Sequence, residues 1–175
     1  MDAQLDLDAE MELSEAEMHF YSRQILLDGW DLEAQEKLKL ANVLIVGCGG
    51  IGCTTAELLA RAGVGQITLI DADQIEISNL QRQIAYTEKD LGFYKSEILA
   101  KRLGSINPHI RVIAHTVKLD ASNAEHLIAA QDLVLDGCDN FTTRYLVNAQ
   151  CYQHAVPLIS ASAIGFQGQL FMVEA

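Results

Sequence analysis

Val43-Leu44-Ile45-Val46-Gly47-Cys48-Gly49-Gly50-Ile51-Gly52 is the stretch whose reading decides the fold. Four consecutive apolar residues suit a strand buried on both faces, and the G-x-G-x-x-G that follows suits a sharp turn into a helix. Glycines let the backbone turn tightly and come close to a phosphate. The helix N-terminus adds unpaired N–H groups and the positive end of a dipole. Asp71 lies 19 residues beyond Gly52, at the end of the next predicted strand, where a carboxylate accepts hydrogen bonds from ribose hydroxyls. A bare strand-to-helix turn would use the same glycines, but strand, helix and acidic residue all in place favour a nucleotide site. The motif by itself leaves NAD and ATP both open, with a dehydrogenase as its first implication.

Working outward, strands and helices alternate. Before the motif, Ser14 and Glu17 form a capping box for a short helix towards Arg23, and a second helix fits residues 31–40. After it come a helix to Ala62 and a strand over residues 66–70. A helix over 94–106 is closed by Asn107-Pro108, and a strand over 111–114 and a crossover helix over 121–130 follow. A strand at 133–135 leads to a helix over 141–153 with Asn140 as N-cap, then to strands at 157–161 and 169–173. This alternation predicts an α/β fold: a Rossmann-like, doubly wound, mostly parallel sheet with an N-terminal helical segment. Residues 1–12 read as a mobile tail and 13–175 as one nucleotide-binding domain. Leu170-Phe171-Met172-Val173 makes an apolar strand two residues from the last one, so further chain is expected to cover it.

Bulk properties narrow the function classes. The chain has 175 residues, half of them hydrophobic, which suits one domain with a substantial core. A net charge of −12 argues against a nucleic-acid partner, which would need clustered Lys and Arg. No apolar stretch approaches the roughly 20 residues of a membrane span. Asp2, Asp6, Asp8 and Glu10 stand where a secretory signal would be basic. A cytoplasmic protein without a membrane partner is expected. Cys48, Cys53, Cys138 and Cys151 form no C-x-x-C pair, and the five histidines share no metal-ligand spacing. The cysteines read as buried thiols; Cys48, at a helix N-terminus, is the one position where a reactive thiol is conceivable.

The polar residues beyond the second strand carry the chemistry. Ser78-Asn79-Leu80-Gln81-Arg82-Gln83 falls at the carboxyl edge of the sheet, where ligands bind. The planar fork of Arg82 suits phosphate oxygens, and Lys95, opening the next helix, brings a point charge to the same edge. The fourth strand delivers Asp136 and then Asp139-Asn140. Asp139 is placed to hold Mg²⁺ against phosphates, although helix capping alone would also favour Asp or Asn here.

Tyr21-Ser22-Arg23-Gln24-Ile25, the glycine motif, Asp71-Ala72-Asp73, residues 78–83, Lys95 and Asp139-Asn140 stand in one order and spacing. In these the chain resembles the ThiF/MoeB/HesA-type adenylyltransferases, relatives of ubiquitin-activating enzymes, and is most similar to the branch serving molybdopterin synthase. The resemblance runs from about Leu13 to the C-terminus. It implies ATP-dependent adenylylation of the C-terminal glycine carboxylate of a small ubiquitin-like sulfur-carrier protein, with release of pyrophosphate, in a molybdopterin or thiamine type of sulfur transfer. ATP and Mg²⁺ are the implied cofactors. Implied ATP contacts are Gly47, Gly49, Gly50, Gly52, Asp71, Asp73, Ser78, Asn79, Leu80, Gln81, Arg82, Lys95, Asp139 and Asn140. Asp139 would serve the metal, and Arg82, Lys95 and Arg23 would complete the catalytic set. Arg23 would reach the partner's ATP site, so a homodimer is implied.

Three departures accompany the resemblance. The family's Gly-x-Pro-Lys is Gly92-Phe93-Tyr94-Lys95 here, and the lost proline would have preset the helix start and fixed Lys95 more firmly. Gly165 follows Ile164 where an Arg is frequent. The family's two C-x-x-C pairs, which bind zinc, do not occur, so zinc is expected only in a longer member and the chain reads as the N-terminal two-thirds of one. Two rival readings remain: an NAD-dependent oxidoreductase, and a truncated, non-catalytic nucleotide-binding dimer.

Overall fold

Apolar residues on both faces of β1 (Asn42–Val46) demand cover from two sides, and the chain supplies it. In the computed structural model, which describes residues 12–174, Val43 and Ile45 pack under α4 (Gly50–Ala62) and α5 (Lys95–Ile106) with Ile67, Leu69, Leu99 and Leu103. Leu44 and Val46 face the opposite layer, α6 (Ala124–Ile128) and α7 (Phe141–Gln153), with Ile128, Val147 and Leu158. β2 (Gln66–Ile70), β3 (Arg111–His115), β4 (Leu133–Asp136), β5 (Leu158–Ile164) and β6 (Gln167–Val173) complete one sheet in the order β3-β2-β1-β4-β5-β6. The first five strands are parallel and β6 is antiparallel to β5. The strand order reverses between β1 and β4, which opens a crevice at their carboxyl ends.

The N-terminal segment carries the expected capping box at Ser14 and Glu17, but it forms two helices rather than one. α1 (Glu15–Phe20) stops at Tyr21, and α2 (Ser22–Ile25) starts anew. Tyr21 is pulled inward, where its hydroxyl accepts a hydrogen bond from Asn107 Nδ2 at 2.7 Å. α3 (Leu32–Leu40) is N-capped by Asp31. α2 and α3 are sewn to the end of α4: Gln24 and Gln35 donate to the Ala62 carbonyl at 2.7 and 2.9 Å, and Gln24 also donates to Gln35. Asn107 donates to the Ala60 carbonyl at 2.7 Å. These amides satisfy carbonyls that a helix C-terminus leaves unpaired.

Two more differences have local causes. The crossover helix expected over residues 121–130 is reduced to α6, because Asp120 and Asn123 cap a turn over 120–123 and delay the helix. The two last strands are longer than expected and form a hairpin around Gly165-Phe166. Gly165 takes φ +60° there, as the first position of a two-residue hairpin loop favours. Leu170, Phe171 and Met172 on β6 remain exposed among the described residues. The expected tail over residues 1–12 lies, apart from Glu12, outside the described residues. No described helix is long and apolar enough to cross a membrane.

Asn107 is fully buried and hydrogen-bonded at both ends of its amide, with Oδ1 accepting from His109 N at 3.0 Å. Asn107→Ala should cost about 1–3 kcal/mol of stability, the cost of stranding buried polar groups. Urea denaturation should show a lower midpoint at an unchanged slope.

Candidate functional site

The carboxyl ends of β1, β2 and β4 frame a cleft of about 840 Å³. Its floor is the glycine turn. Gly47 has φ +91°, and a Cβ there would press at 3.1 Å on the backbone of Gly137, so β1 and β4 exit in near contact. A Cβ on Gly52 would overlap the Gly47 carbonyl oxygen, so the third glycine packs the helix onto the turn rather than facing the cleft. Gly49 and Gly50 do face it, at the N-terminus of α4, and no side chain caps that helix end.

The turn is braced from two sides. Asp71 Oδ2 accepts the Cys48 N–H at 2.7 Å and Oδ1 accepts the Asp73 N–H at 2.8 Å. Burial raises the Asp71 pKa above the ordinary carboxylate value, against the lowering pull of the Asp73 and Cys48 amides and of Lys95. Tyr86 donates its hydroxyl to the Cys48 carbonyl at 2.8 Å, a contact that sequence reading does not find. Only the hydroxyl's position in a buried cluster reveals it.

Cations gather where the overall charge is strongly negative. Arg82, Lys95, Lys118 and Arg144 all line the cleft. Lys95 is almost fully buried, and its Nζ sits 2.9 Å from Asp73, whose own side chain is 71% exposed. Where the family's proline would stand, Tyr94 bridges to Gln74, and the Lys95 N–H donates to the Asp73 carbonyl. Arg82 donates to the Ser78 carbonyl at 2.9 Å while remaining exposed. Asn79 is buried, with Oδ1 accepting from Glu76 N.

At the opposite wall, Asp139 is exposed and lines the cleft, and Asn140 caps α7 by accepting the Thr143 N–H at 2.9 Å. The loop that carries them is tied by Asp136, which holds Arg144 Nε at 3.0 Å and Ser160 Oγ at 2.7 Å and accepts Cys138 N–H. Arg144 was not among the sequence-derived residues. It stands in the first turn of α7, where a cation opposes the helix dipole, and that mismatch is the signal for it.

Of the residues expected to form the site, Gly47, Gly49, Gly50, Asp71, Asp73, Asn79, Arg82, Lys95, Asp139 and Asn140 line this one cleft. Ser78, Leu80, Gln81 and Gly52 do not: Leu80 packs on the core, Gln81 faces outward, and Ser78 contributes its carbonyl to Arg82. Arg23 is exposed on α2 and does not line the cleft of its own chain. No group of three or more His, Cys, Asp or Glu among the described residues could hold a metal by itself.

The thiols stand apart from this chemistry. All four are buried. Burial, reinforced by the Asp71 charge, pushes the Cys48 thiol far up, which removes it as a low-pKa nucleophile. Burial and Asp136 push Cys138 up to about 12, and burial takes Cys151 up to about 11. Ellman's reagent at neutral pH should therefore label no cysteine until the chain unfolds. Because the folded chain holds these thiol protons more tightly than the unfolded one, stability should fall as pH rises above about 8.5, the ordinary thiol pKa. A thermal-melt series towards pH 11 checks the sign; a melting temperature that rose over this range would contradict it.

Residues 21–175 match the ThiF family. The chain is 48% identical over 159 residues to the molybdopterin-synthase adenylyltransferase of Salmonella typhimurium, covering 91% of this chain and 64% of that protein. It is 46% identical over 153 residues to the sulfur carrier protein ThiS adenylyltransferase of Escherichia coli, covering 87% of this chain and 61% of that protein. Among solved structures, the E. coli tRNA N6-threonylcarbamoyladenosine dehydratase TcdA in complex with ATP superposes with a TM-score of 0.82 at 30% identity. That match covers 88% of this chain and 63% of the other. The chain thus spans less than two-thirds of the length of each of these relatives.

Proposed function

Because the chain belongs to the ThiF family, we propose that it uses ATP to adenylate the C-terminal glycine carboxylate of a small ubiquitin-like sulfur-carrier protein. The observation that carries this reading is the convergence of Arg82, Lys95, Asp139 and the uncapped N-terminus of α4 on one cleft. A dinucleotide site would account for the glycine turn, which meets its pyrophosphate, and for Asp71, but gives no reason for Arg82, Lys95 and Asp139 at one edge. The acceptor class follows from relatives that are named for molybdopterin synthase and for the sulfur carrier ThiS. Nucleic acid and membrane are not partners in this reading.

In the reaction a carboxylate oxygen attacks the α-phosphorus, the bond from that phosphorus to the bridging oxygen breaks, and pyrophosphate leaves. Negative charge builds on the phosphates as it does so. Arg82 and Lys95 lie at the cleft wall to neutralise it, and the N–H groups of Gly49 and Gly50 add oriented dipoles. Asp71 spends two hydrogen-bond sites on Cys48 and Asp73; an ionised carboxylate offers about four, which leaves room for ribose hydroxyls. No nucleophile from the enzyme is required, because aligning two bound reactants does most of the work.

Asp139 fits a magnesium ion: it is an oxygen donor, exposed to the cleft and free of any cation partner among the described residues. One carboxylate plus substrate phosphates is the usual way Mg²⁺ is held, and the ion would screen the triphosphate against the incoming carboxylate. Arg23, absent from its own cleft, acts on the site of a partner copy in a homodimer.

The test is ATP–pyrophosphate exchange that depends on an added sulfur-carrier protein. Asp139→Ala should abolish it, and exchange that survived would remove Asp139 from the mechanism. Arg23→Ala should also be inactive alone, yet mixing it with Asp139→Ala should restore exchange. The mixed dimer then holds one site with both residues intact, and failure to complement would argue against action across the dimer. Tighter binding of NADH than of ATP would favour an oxidoreductase instead.

A further inference from the structure

Gln83 is buried to 3% exposure, lines the cleft, and carries an Oε1 with no hydrogen-bond partner among the described residues. Its Nε2 stands 3.9 Å from where a Cβ on Gly49 would be, so the amide lies against the uncapped start of α4. The backbone holds it there: Gln83 N–H donates to the Asn79 carbonyl at 3.0 Å and its carbonyl accepts from Tyr86 N–H at 3.2 Å. The unmet oxygen makes the amide costly to bury, so a leucine there would be no less stable, and what the amide offers the cleft is its Nε2 donor. Gln83 belongs to none of the assigned contacts. Two observations therefore coincide: the 13-residue α4 begins uncapped, and a nearly fully buried amide turns towards that start an Nε2 that has no hydrogen-bond partner among the described residues.

We propose that Gln83 is a further ligand of the nucleotide, donating Nε2–H to a phosphate oxygen seated at Gly49 and Gly50. The inference rests on the ATP reading of this cleft. As a neutral donor among cations, Gln83 orients the phosphate chain without adding charge. Its contribution should therefore follow the phosphates and not the nucleoside.

Calorimetric titration of ATP and of adenosine into the wild-type chain, Gln83→Leu and Gln83→Glu tests this. Gln83→Leu should weaken ATP by about three- to tenfold, the worth of one neutral hydrogen bond, and leave adenosine unchanged. Its unliganded melting temperature should stay level or rise. Gln83→Glu, which differs by one atom, should weaken ATP further by setting a carboxylate against phosphate. Unchanged ATP affinity in Gln83→Leu, or equal losses for ATP and adenosine, would overturn the proposal and leave the ATP reading intact. A wild-type chain that bound no ATP would overturn both.

Discussion

The close approach of β1 and β4 at Gly47 and Gly137 is the constraint on which the rest depends. Any side chain at Gly47 would force the two strand ends apart, and their separation sets where Asp139 stands relative to the start of α4. Gly52 then locks the helix onto the same turn, while Asp71 and Tyr86 clamp Cys48 between them. Three strands and one helix thus meet within a few residues. A cleft built this way is pre-organised: its donors are already oriented when charge arrives, so little reorganisation accompanies binding.

Much of the architecture was legible because it depends on local pattern. β1 and β2 are short apolar runs, and buried parallel strands have no other strong signature. α4 ends and α7 begins where expected, because Gly63 closes the one and Asn140 caps the other. The misreadings share one cause, a local signal overridden by a neighbour. Helix periodicity through Tyr21 yields to a hydrogen bond from Asn107, 86 positions away. Periodicity over 121–130 yields to the turn that Asp120 and Asn123 cap. The antiparallel return of β6 turns at Gly165, which sequence reading notes only as standing where an Arg is frequent.

The site shows the same division. Residues at strand ends, such as Asp71, and at helix starts, such as Lys95 and Asn140, are fixed by the elements that carry them. Within residues 78–83, sequence does not say which side chains turn inward. A 3-10 turn over Ile77–Asn79 buries Asn79, and the chain beyond it buries Gln83 while leaving Gln81 outside. The contacts of Tyr86 and Arg144 are hidden for another reason. Their partners are backbone carbonyls and a carboxylate brought near only by folding.

The Lys95–Asp73 pair carries a final consequence. A buried ammonium needs a counter-ion at all times, and Asp73 supplies one from a position that water still reaches. An anionic ligand entering the cleft would displace a carboxylate that solvent is ready to receive, so Lys95 is never left bare and Asp73 loses little. The exchange swaps one anion for another at nearly constant local charge. That makes Asp73 a placeholder: it balances the lysine from the rim of the cleft, and so a chain of net charge −12 keeps a cation in position there with a partner that another anion could replace.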